Sequence, residues 1–128
     1  ALVLTISDSA ASGKREDLSG PEGRKILQEA GFDVLAMDGM KVDFADVGRL
    51  ASTEIYAHTR RAFLKNPGAD GIYMLGTGWR CLDIIHLLEE DLQVPVVHAV
   101  PARVWAVQKR LHVRQPAKGF GRLLERMP

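Results

Sequence analysis

Short apolar runs alternate with amphipathic segments along the chain. The apolar runs are long enough for buried strands, and they lie at Leu2–Ile6, Phe32–Met37, Gly71–Leu75 and Val94–Val100. The segments between and after them have apolar residues at helical spacing, and they predict helices at about 20–30, 52–64, 80–92 and 101–110. Because neighbouring parallel strands must be joined by a crossover, this alternation predicts one α/β domain over residues 1–128: a three-layer sandwich around a mostly parallel sheet of about four strands.

Two helix predictions can be checked residue by residue. In the first helix we expect Ile26, Leu27 and Ala30 to face the core. For the second helix we expect Ser52 or Thr53 to act as the N-terminal cap, because a hydroxyl there can accept a free backbone N–H.

Composition narrows the class of protein. Of 128 residues, 46% are hydrophobic and 26% are charged, which is typical of a globular chain, and no apolar stretch approaches the roughly 20 residues that span a bilayer. Seventeen basic and sixteen acidic residues leave a net charge of +1, too little to indicate a nucleic-acid partner. A single cysteine, Cys81, excludes an internal disulfide, so we expect a cytoplasmic protein. From the charge and the short apolar runs we expect neither nucleic acid nor a membrane as a partner.

The turn Gly76-Thr77-Gly78 is the first candidate for a ligand site. It interrupts the third apolar run, and its glycines permit a backbone conformation in which N–H groups face a ligand. The alternative is a tight turn with no ligand. A helix beginning directly after it would add its positive end, which favours an anion.

Other candidates lie where the remaining strands end, because ligands of parallel sheets bind at the carboxyl ends of the strands. Ser7 and Asp8 follow the first run and could bind a ligand or cap the next helix. His98, in the fourth run, could transfer a proton or be a hydrogen-bonded core histidine. These loops contain neither a metal-ligand cluster nor a dinucleotide fingerprint, so we expect no cofactor and a small anionic ligand.

The second half of the chain resembles a known family. The matching landmarks follow one another in order: Asp70-Gly71, the turn after that strand, Leu82-Asp83, Val94-Pro95-Val96-Val97, Ala102, Trp105 and Gly119-Phe120-Gly121-Arg122-Leu123. This order is similar to the carboxyl-terminal half of the Asp/Glu racemase superfamily, in its arylmalonate decarboxylase and maleate isomerase branch. The resemblance implies two similar α/β halves facing each other across a cleft, with this chain as one half and an N-terminal half not seen here; a homo-oligomer is a further expectation.

The resemblance also implies a chemistry. Proteins of this family carry out cofactor-independent racemisation, decarboxylation or isomerisation of small carboxylic acids, with an anion pocket that holds an enediolate and a cysteine that moves the proton. Here Gly76 occupies the position of that cysteine, Thr77 and Gly78 occupy the anion-binding positions after it, and Ser7 replaces a tyrosine. The implied ligand is a small carboxylate, and the implied proton carrier is missing from its usual place.

Two residues beyond the turn extend this hypothesis. Cys81 could replace the family cysteine, because the start of a helix lowers a thiol pKa, or it could be core packing in a stripe with Ile84, Ile85 and Leu88. Trp79 could line a pocket for an apolar substituent or cover the helix.

Two other functions stay open. The chain could be a non-catalytic module that binds a small carboxylate on the same scaffold. Its first 30 residues, with Ser7-Asp8, Gly13 and Ser19-Gly20-Pro21, are also similar to the start of molybdopterin-binding domains.

Overall fold

A computed structural model describes residues 2–7, 19–40, 42, 44–76 and 78–127, without the side chains of residues 2–7, 19, 20 and 44. It contains one four-stranded sheet. The strands are β1 (Leu2–Ser7), β2 (Asp33–Gly39), β3 (Gly71–Leu75) and β4 (Val96–His98). The helices are α1 (Ser19–Glu29), a 3₁₀ helix (Phe44–Arg49), α2 (Ser52–Leu64), α3 (Ile85–Leu92), α4 (Ala99–Arg110) and α5 (Arg122–Glu125). None of these helices is long and apolar enough to cross a bilayer.

All strand pairs are parallel, and the order across the sheet is β2-β1-β3-β4. The predicted α/β fold with a parallel sheet of about four strands is therefore confirmed. The chain moves from β1 to one side to form β2 and then crosses to the other side to form β3. The crossover direction reverses between β1 and β3, so a crevice opens beyond the carboxyl ends of these two strands. Ser7 pairs with Leu75 there, directly before Gly76.

The tightest part of the core lies between the sheet and the pair α2 and α3. Ile72 and Met74 of β3 point into it and are almost fully buried. The two helices are also joined at their surface, because the Asp91 carboxylate accepts hydrogen bonds from the Tyr56 hydroxyl at 2.7 Å and from Arg60 Nε at 3.0 Å. These contacts join the middle of α2 to the last turn of α3.

The opposite face of the sheet is less well covered. By the right-handed crossover rule, α1 lies on this face. The Cβ position of Gly23 comes within 3.7 Å of Leu75 Cδ2, so helix and strand do touch. The predicted burial of Ile26 and Ala30 is wrong, however, because the Ile26 side chain is 56% exposed and Ala30 is exposed as well, while Leu27 is half-buried. Helical spacing identifies the apolar side of a helix, but not whether the neighbouring layer is wide enough to cover it.

Two elements, α3 and β4, are shorter than the sequence predicts. α3 begins at Ile85 rather than at about Arg80, because Trp79 and Cys81 are both buried. Side chains two positions apart point to different sides of a helix, so a helix here could not bury both residues in the same core, and the chain stays irregular. β4 is limited to Val96–His98, since His98 already accepts the Val100 N–H as the N-terminal cap of α4.

The predicted cap of α2 is also wrong. The N-cap residue is Ala51, and no side chain makes a capping hydrogen bond there. The Ser52 hydroxyl instead donates to the Asp83 carboxylate at 2.9 Å. This bond joins the first turn of α2 to the segment after β3.

The buried Glu89 carboxylate holds the C-terminal segment by a hydrogen bond. Glu89 of α3 is 4% exposed, and its side chain accepts the Val96 N–H at 3.0 Å and the Arg122 N–H at 2.7 Å. Gly121, just before Arg122, has φ 94°, and a Cβ there would lie 2.7 Å from Ile85 Cγ2. Only glycine fits this approach without movement of its neighbours.

Candidate functional site

The end of β3 forms the centre of the candidate site. Gly76 follows the last residue of the strand and has φ 126°, a conformation that residues with a Cβ rarely adopt. Gly78 is exposed two residues later, and its Cβ position would lie 3.1 Å from Val47 Cγ1 of the 3₁₀ helix. The glycines thus allow a turn to pass close to the neighbouring segment at the crevice between β1 and β3.

The buried side chain of His98 contacts Gly76 of this turn. Its side chain has 0% exposure, and its Nε2 lies 2.6 Å from the carbonyl oxygen of Gly76. Its Nδ1 lies 3.4 Å from the backbone nitrogen of Val100. The structure therefore brings His98 and Gly76 together, although 22 positions separate them in the sequence.

An open cleft of about 860 Å³ begins beside the turn. Gly48 belongs to its wall, and the Cβ position of Gly48 lies 3.9 Å from the carbonyl oxygen of Gly78. The hydrogen bond between Ser52 and Asp83 joins its two sides. Its lining comes from the end of the 3₁₀ helix, the start of α2, the segment after β3, the start of α4 and the C-terminal segment: Gly48, Arg49, Leu50, Ala51, Ser52, Trp79, Arg80, Leu82, Asp83, Val100 and Phe120.

Two guanidinium groups give the cleft its positive charge. Arg80 is exposed and forms no hydrogen bond or ion pair within the described part of the chain. Arg49 is exposed as well and makes one long contact, 3.4 Å from Nη1 to the Asp46 carboxylate. Since a surface pair of this kind contributes little, both cations remain available to a negatively charged ligand.

Trp79 lines the cleft while being only 4% exposed. The structure thus places this residue at the wall of a cavity, which is one of the two alternatives that the sequence left open. Together with Leu82, Val100 and Phe120 it provides apolar surface beside the two arginines. The cleft can accommodate a molecule that has a carboxylate at one end and an apolar group at the other.

Cys81 lies in the core rather than at the surface of the cleft. Its side chain has 0% exposure, and burial, with a smaller contribution from the Asp83 charge, raises the pKa of the thiol to about 12. The expectation that a helix start lowers this pKa is wrong, because α3 begins only at Ile85. The thiol is protonated at neutral pH.

The helix-dipole part of the anion prediction is wrong for the same reason. The first residue of α3 is seven positions beyond Gly78, so the positive end of a helix does not directly follow the turn. Thr77 and Asp8 lie outside the described residues, and of Ser7 only the backbone is described, at the end of β1. The sequence analysis did not identify Arg49 and Arg80 as site residues. The only feature that could have indicated them is that each belongs to a segment that follows the carboxyl end of a strand.

The described residues contain no group of three or more His, Cys, Asp or Glu side chains that could hold a metal ion. The side chains that could hold an organic ligand are those of the cleft. They comprise two guanidiniums, the Asp83 carboxylate with the Ser52 hydroxyl that donates to it, and apolar surface, and the guanidiniums suit an organic acid.

Several solved structures share this fold. A crystal structure of arylmalonate decarboxylase aligns with 98% of this chain and 53% of its own length, with a TM-score of 0.85 and 23% identity. The maleate cis-trans isomerase of Nocardia farcinica aligns with 98% of this chain and 48% of its own length, with a TM-score of 0.77 and 20% identity. For the maleate isomerase Iso from Pseudomonas putida S16 the shares are 97% and 48%, with a TM-score of 0.79 and 17% identity.

At these identities the structural likeness shows the racemase-type fold, and the chain spans about half the length of the solved structures that it matches. No curated protein matches the sequence closely enough to count as a relative. The family model for arylmalonate decarboxylase matches residues 17–124, well over half of the chain, and includes the turn, the cleft and the Gly121 segment. The chain therefore belongs to the arylmalonate decarboxylase family.

Proposed function

We propose that this chain binds a small carboxylic acid at the crevice between β1 and β3 and takes part in its decarboxylation or isomerisation without a cofactor. The observation that carries the proposal is the Gly76–Gly78 turn. Gly76 follows β3 where the crossover direction reverses, and Gly78 lies beside Gly48 in the wall of a cleft that Arg49 and Arg80 line. Ligands of parallel sheets bind at this position of the fold.

The chemistry needs stabilisation of negative charge. Removal of a proton or of carbon dioxide next to a carboxylate leaves an enediolate, whose charge is best held by fixed hydrogen-bond donors. Gly76 allows an acid to approach the backbone closely, because it has no side chain in the way. Arg80 and Arg49 attract the acid, and Trp79 borders the space for its substituent.

Relatives of the same fold support an acid as the ligand. One matched structure is of an arylmalonate decarboxylase variant in a sulfate-associated form, and another is of a maleate isomerase variant with maleate. A third holds a covalent succinylcysteine intermediate in maleate cis-trans isomerase. Sulfate and maleate are both anions, which is what the arginines of this cleft favour.

This chain differs from the arylmalonate decarboxylase and maleate isomerase relatives in the residue that could move the proton. Gly76, which stands at the family cysteine position, has no thiol, and its φ of 126° means that a cysteine could be placed there only with backbone strain. Cys81 is buried and protonated, and both ring nitrogens of His98 are hydrogen-bonded. We propose that the proton is moved by a group outside the described residues, such as Asp8 or a residue of a second α/β half.

The missing thiol also favours a second function. Without a proton carrier the same pocket would bind a small carboxylate and release it unchanged, as a ligand-sensing module does. Binding and turnover must therefore be measured separately.

The experiment uses the whole chain with malonate, phenylmalonate and maleate. Calorimetry gives the dissociation constants, and proton NMR of the same samples detects loss of carbon dioxide or formation of fumarate. Arg80→Gln removes a cation from the cleft. Arg114→Gln is its matched control, because Arg114 is also exposed but follows α4 and does not line the cleft.

We expect saturable binding of at least one of the three acids, weakened about tenfold by Arg80→Gln, since a hydrogen bond to a charged group contributes about 1.5 kcal/mol or more. Arg114→Gln should leave the dissociation constant unchanged. Binding with turnover supports the enzyme, and binding without turnover supports the module. Absence of binding, or equal losses in both variants, contradicts the proposed pocket.

A further inference from the structure

One side of α4 carries an apolar stripe that stays open to solvent. The α4 stripe consists of Val100, Val104, Val107 and Leu111, the last of these being the C-cap residue of the helix. Val104, Val107 and Leu111 are exposed, and Val100 lines the cleft at the beginning of the helix. Their spacing of four, three and four positions puts them on one face, and two helices that pack side by side use this spacing.

The core contacts of α4 are made through a different side of the helix. Pro101 is buried, and Trp105 and Gln108 are half-buried. Trp105 borders a cavity together with Val97 of β4, and Gln108 borders another together with Met127 of the C-terminal segment. The fold therefore holds α4 without using the α4 stripe. A contiguous exposed apolar surface of this kind marks an interaction site.

The surface beside the α4 stripe is positively charged. Residues 92–124 contain six lysines and arginines and no aspartate or glutamate, although acidic residues outnumber basic ones in the rest of the chain. Arg103 and Arg110 are exposed, and each directly precedes a residue of the α4 stripe. Neither forms an ion pair within the described part of the chain. Because seven positions separate them, both lie along the same border of the α4 stripe, where they attract negative charge.

This border disfavours a second copy of the chain as the occupant. If two α4 helices packed antiparallel through their stripes, Arg103 of one copy would lie beside Arg110 of the other. In a parallel pair Arg103 would lie beside Gln108, which cannot neutralise it. Like charges placed together at an interface suppress that partner, so the missing complement is an acidic side chain.

The residue types of the α4 stripe disfavour a membrane surface. Helices that lie on membranes present large apolar residues such as Trp, Phe and Leu to the lipid, whereas this stripe has three valines and one leucine. Trp105 is on the other side of the helix, with Lys109 Nζ 4.8 Å from the centre of its ring. Branched side chains at this spacing instead suit close packing against another helix.

We propose that the α4 stripe is the docking surface for an amphipathic helix of another protein, one that has aspartate or glutamate beside its own apolar face. The apolar faces of the two helices pack together, and the acidic residues pair with Arg103 and Arg110. The α4 stripe is about 16 Å long, which matches about three turns of the partner helix. Because Val100 also lines the cleft, the docked helix reaches the edge of the cleft. The proposal does not depend on which ligand the cleft binds.

The test uses the whole chain and two labelled synthetic peptides of about three heptads each. Both peptides have leucine at the two apolar positions of every heptad; one has glutamate at the flanking positions and the other has lysine. Fluorescence anisotropy gives the dissociation constants. We expect saturable binding of the glutamate peptide, at least about tenfold tighter than binding of the lysine peptide and weaker at high salt.

Exposed positions provide matched variants. Val107 and Leu64 are both 57% exposed, but Leu64 is at the end of α2, outside the α4 stripe. Val107→Glu should weaken binding of the glutamate peptide about tenfold or more, whereas Leu64→Glu should change it by less than about twofold. Arg110→Glu should weaken binding of the glutamate peptide and strengthen binding of the lysine peptide. Circular dichroism checks that each variant is folded.

Four results would overturn the proposal. The first is that the unsubstituted chain does not bind the glutamate peptide, or binds both peptides equally. The second is equal loss of binding in Val107→Glu and Leu64→Glu. The third is a dimer of the unsubstituted chain, detected by sedimentation and abolished by Val107→Glu, because the α4 stripe would then be occupied by a second copy. The fourth is binding to phosphatidylserine vesicles that Val107→Glu abolishes and the glutamate peptide does not compete with, because the occupant would then be a membrane.

Discussion

Gly121 and Gly119 offer a direct test of how the C-terminal segment packs. Both have positive φ, 94° and 87°, so an alanine at either position is strained by about 1–2 kcal/mol. Their surroundings differ: a Cβ at Gly119 would meet nothing within 4 Å, whereas one at Gly121 would lie 2.7 Å from Ile85 Cγ2. Because Ile85 is 1% exposed, that methyl group cannot move freely, and such overpacking costs about 1–3 kcal/mol.

The expected decrease in the free energy of unfolding is therefore about 1–2 kcal/mol for Gly119→Ala and about 2–5 kcal/mol for Gly121→Ala. Urea denaturation of the two variants and the unsubstituted chain gives both values. The entropy that alanine removes from the unfolded chain is the same in the two variants and cancels in their difference. A difference below about 0.5 kcal/mol would refute the close approach of Gly121 to α3.

Three further predictions concern titration and buried charge. Because burial raises the pKa of the Cys81 thiol to about 12, the thiol stabilises the fold fully below its ordinary pKa near 9, and this contribution is lost as pH rises toward 12. From pH 8 to pH 10 the unfolding free energy of the unsubstituted chain should therefore fall by about 1.4 kcal/mol more than that of Cys81→Ala, and parallel pH profiles would contradict the burial of the thiol. The hydrogen bond from Tyr56 holds the pKa of Asp91 below its usual value, so this carboxylate stabilises the fold above its ordinary pKa and less as pH falls. In Tyr56→Phe the Asp91 pKa, read from its carboxyl carbon-13 shift, should rise and the loss of stability in acid should become shallower; an unchanged pKa would exclude the bond. In Glu89→Gln an amide donor faces one of the two backbone N–H groups that the carboxylate accepts, and the unfolding free energy measured in urea should fall by about 2–3 kcal/mol. The exposed Glu90→Gln should lower it by less than about 0.5 kcal/mol. Equal effects of the two substitutions would contradict the hydrogen bonds that Glu89 accepts.

The alternation of apolar runs and helical segments was enough to predict the fold. The four strands and the crossovers lie where the pattern placed them, because burial of a parallel strand on both faces requires a continuous apolar run. The start of α3 could not be predicted in this way. The residues from Trp79 to Ile84 are compatible with a helix, and only tertiary packing, which buries Trp79 and Cys81 two positions apart, delays the helix to Ile85.

The site was predicted in part. The glycine turn was identified from its residues, and the strand order places it at the crevice beside β1. The arginines at Arg49 and Arg80 could not be assigned to one cleft, because 31 positions separate them and only the folded chain brings them together. Among the alternatives for His98, the hydrogen bond to Gly76 favours the core histidine, and no local pattern contains that contact.

Binding of a small carboxylate at the Gly76–Gly78 turn can be tested by titrating a nitrogen-15-labelled chain with malonate and recording amide NMR spectra. We predict that the Gly76 and Gly78 amide signals shift along saturating curves with a common dissociation constant, and that the Gly31 amide, at the far end of α1, does not move. Unmoved Gly76 and Gly78 signals at saturating malonate would contradict the claim.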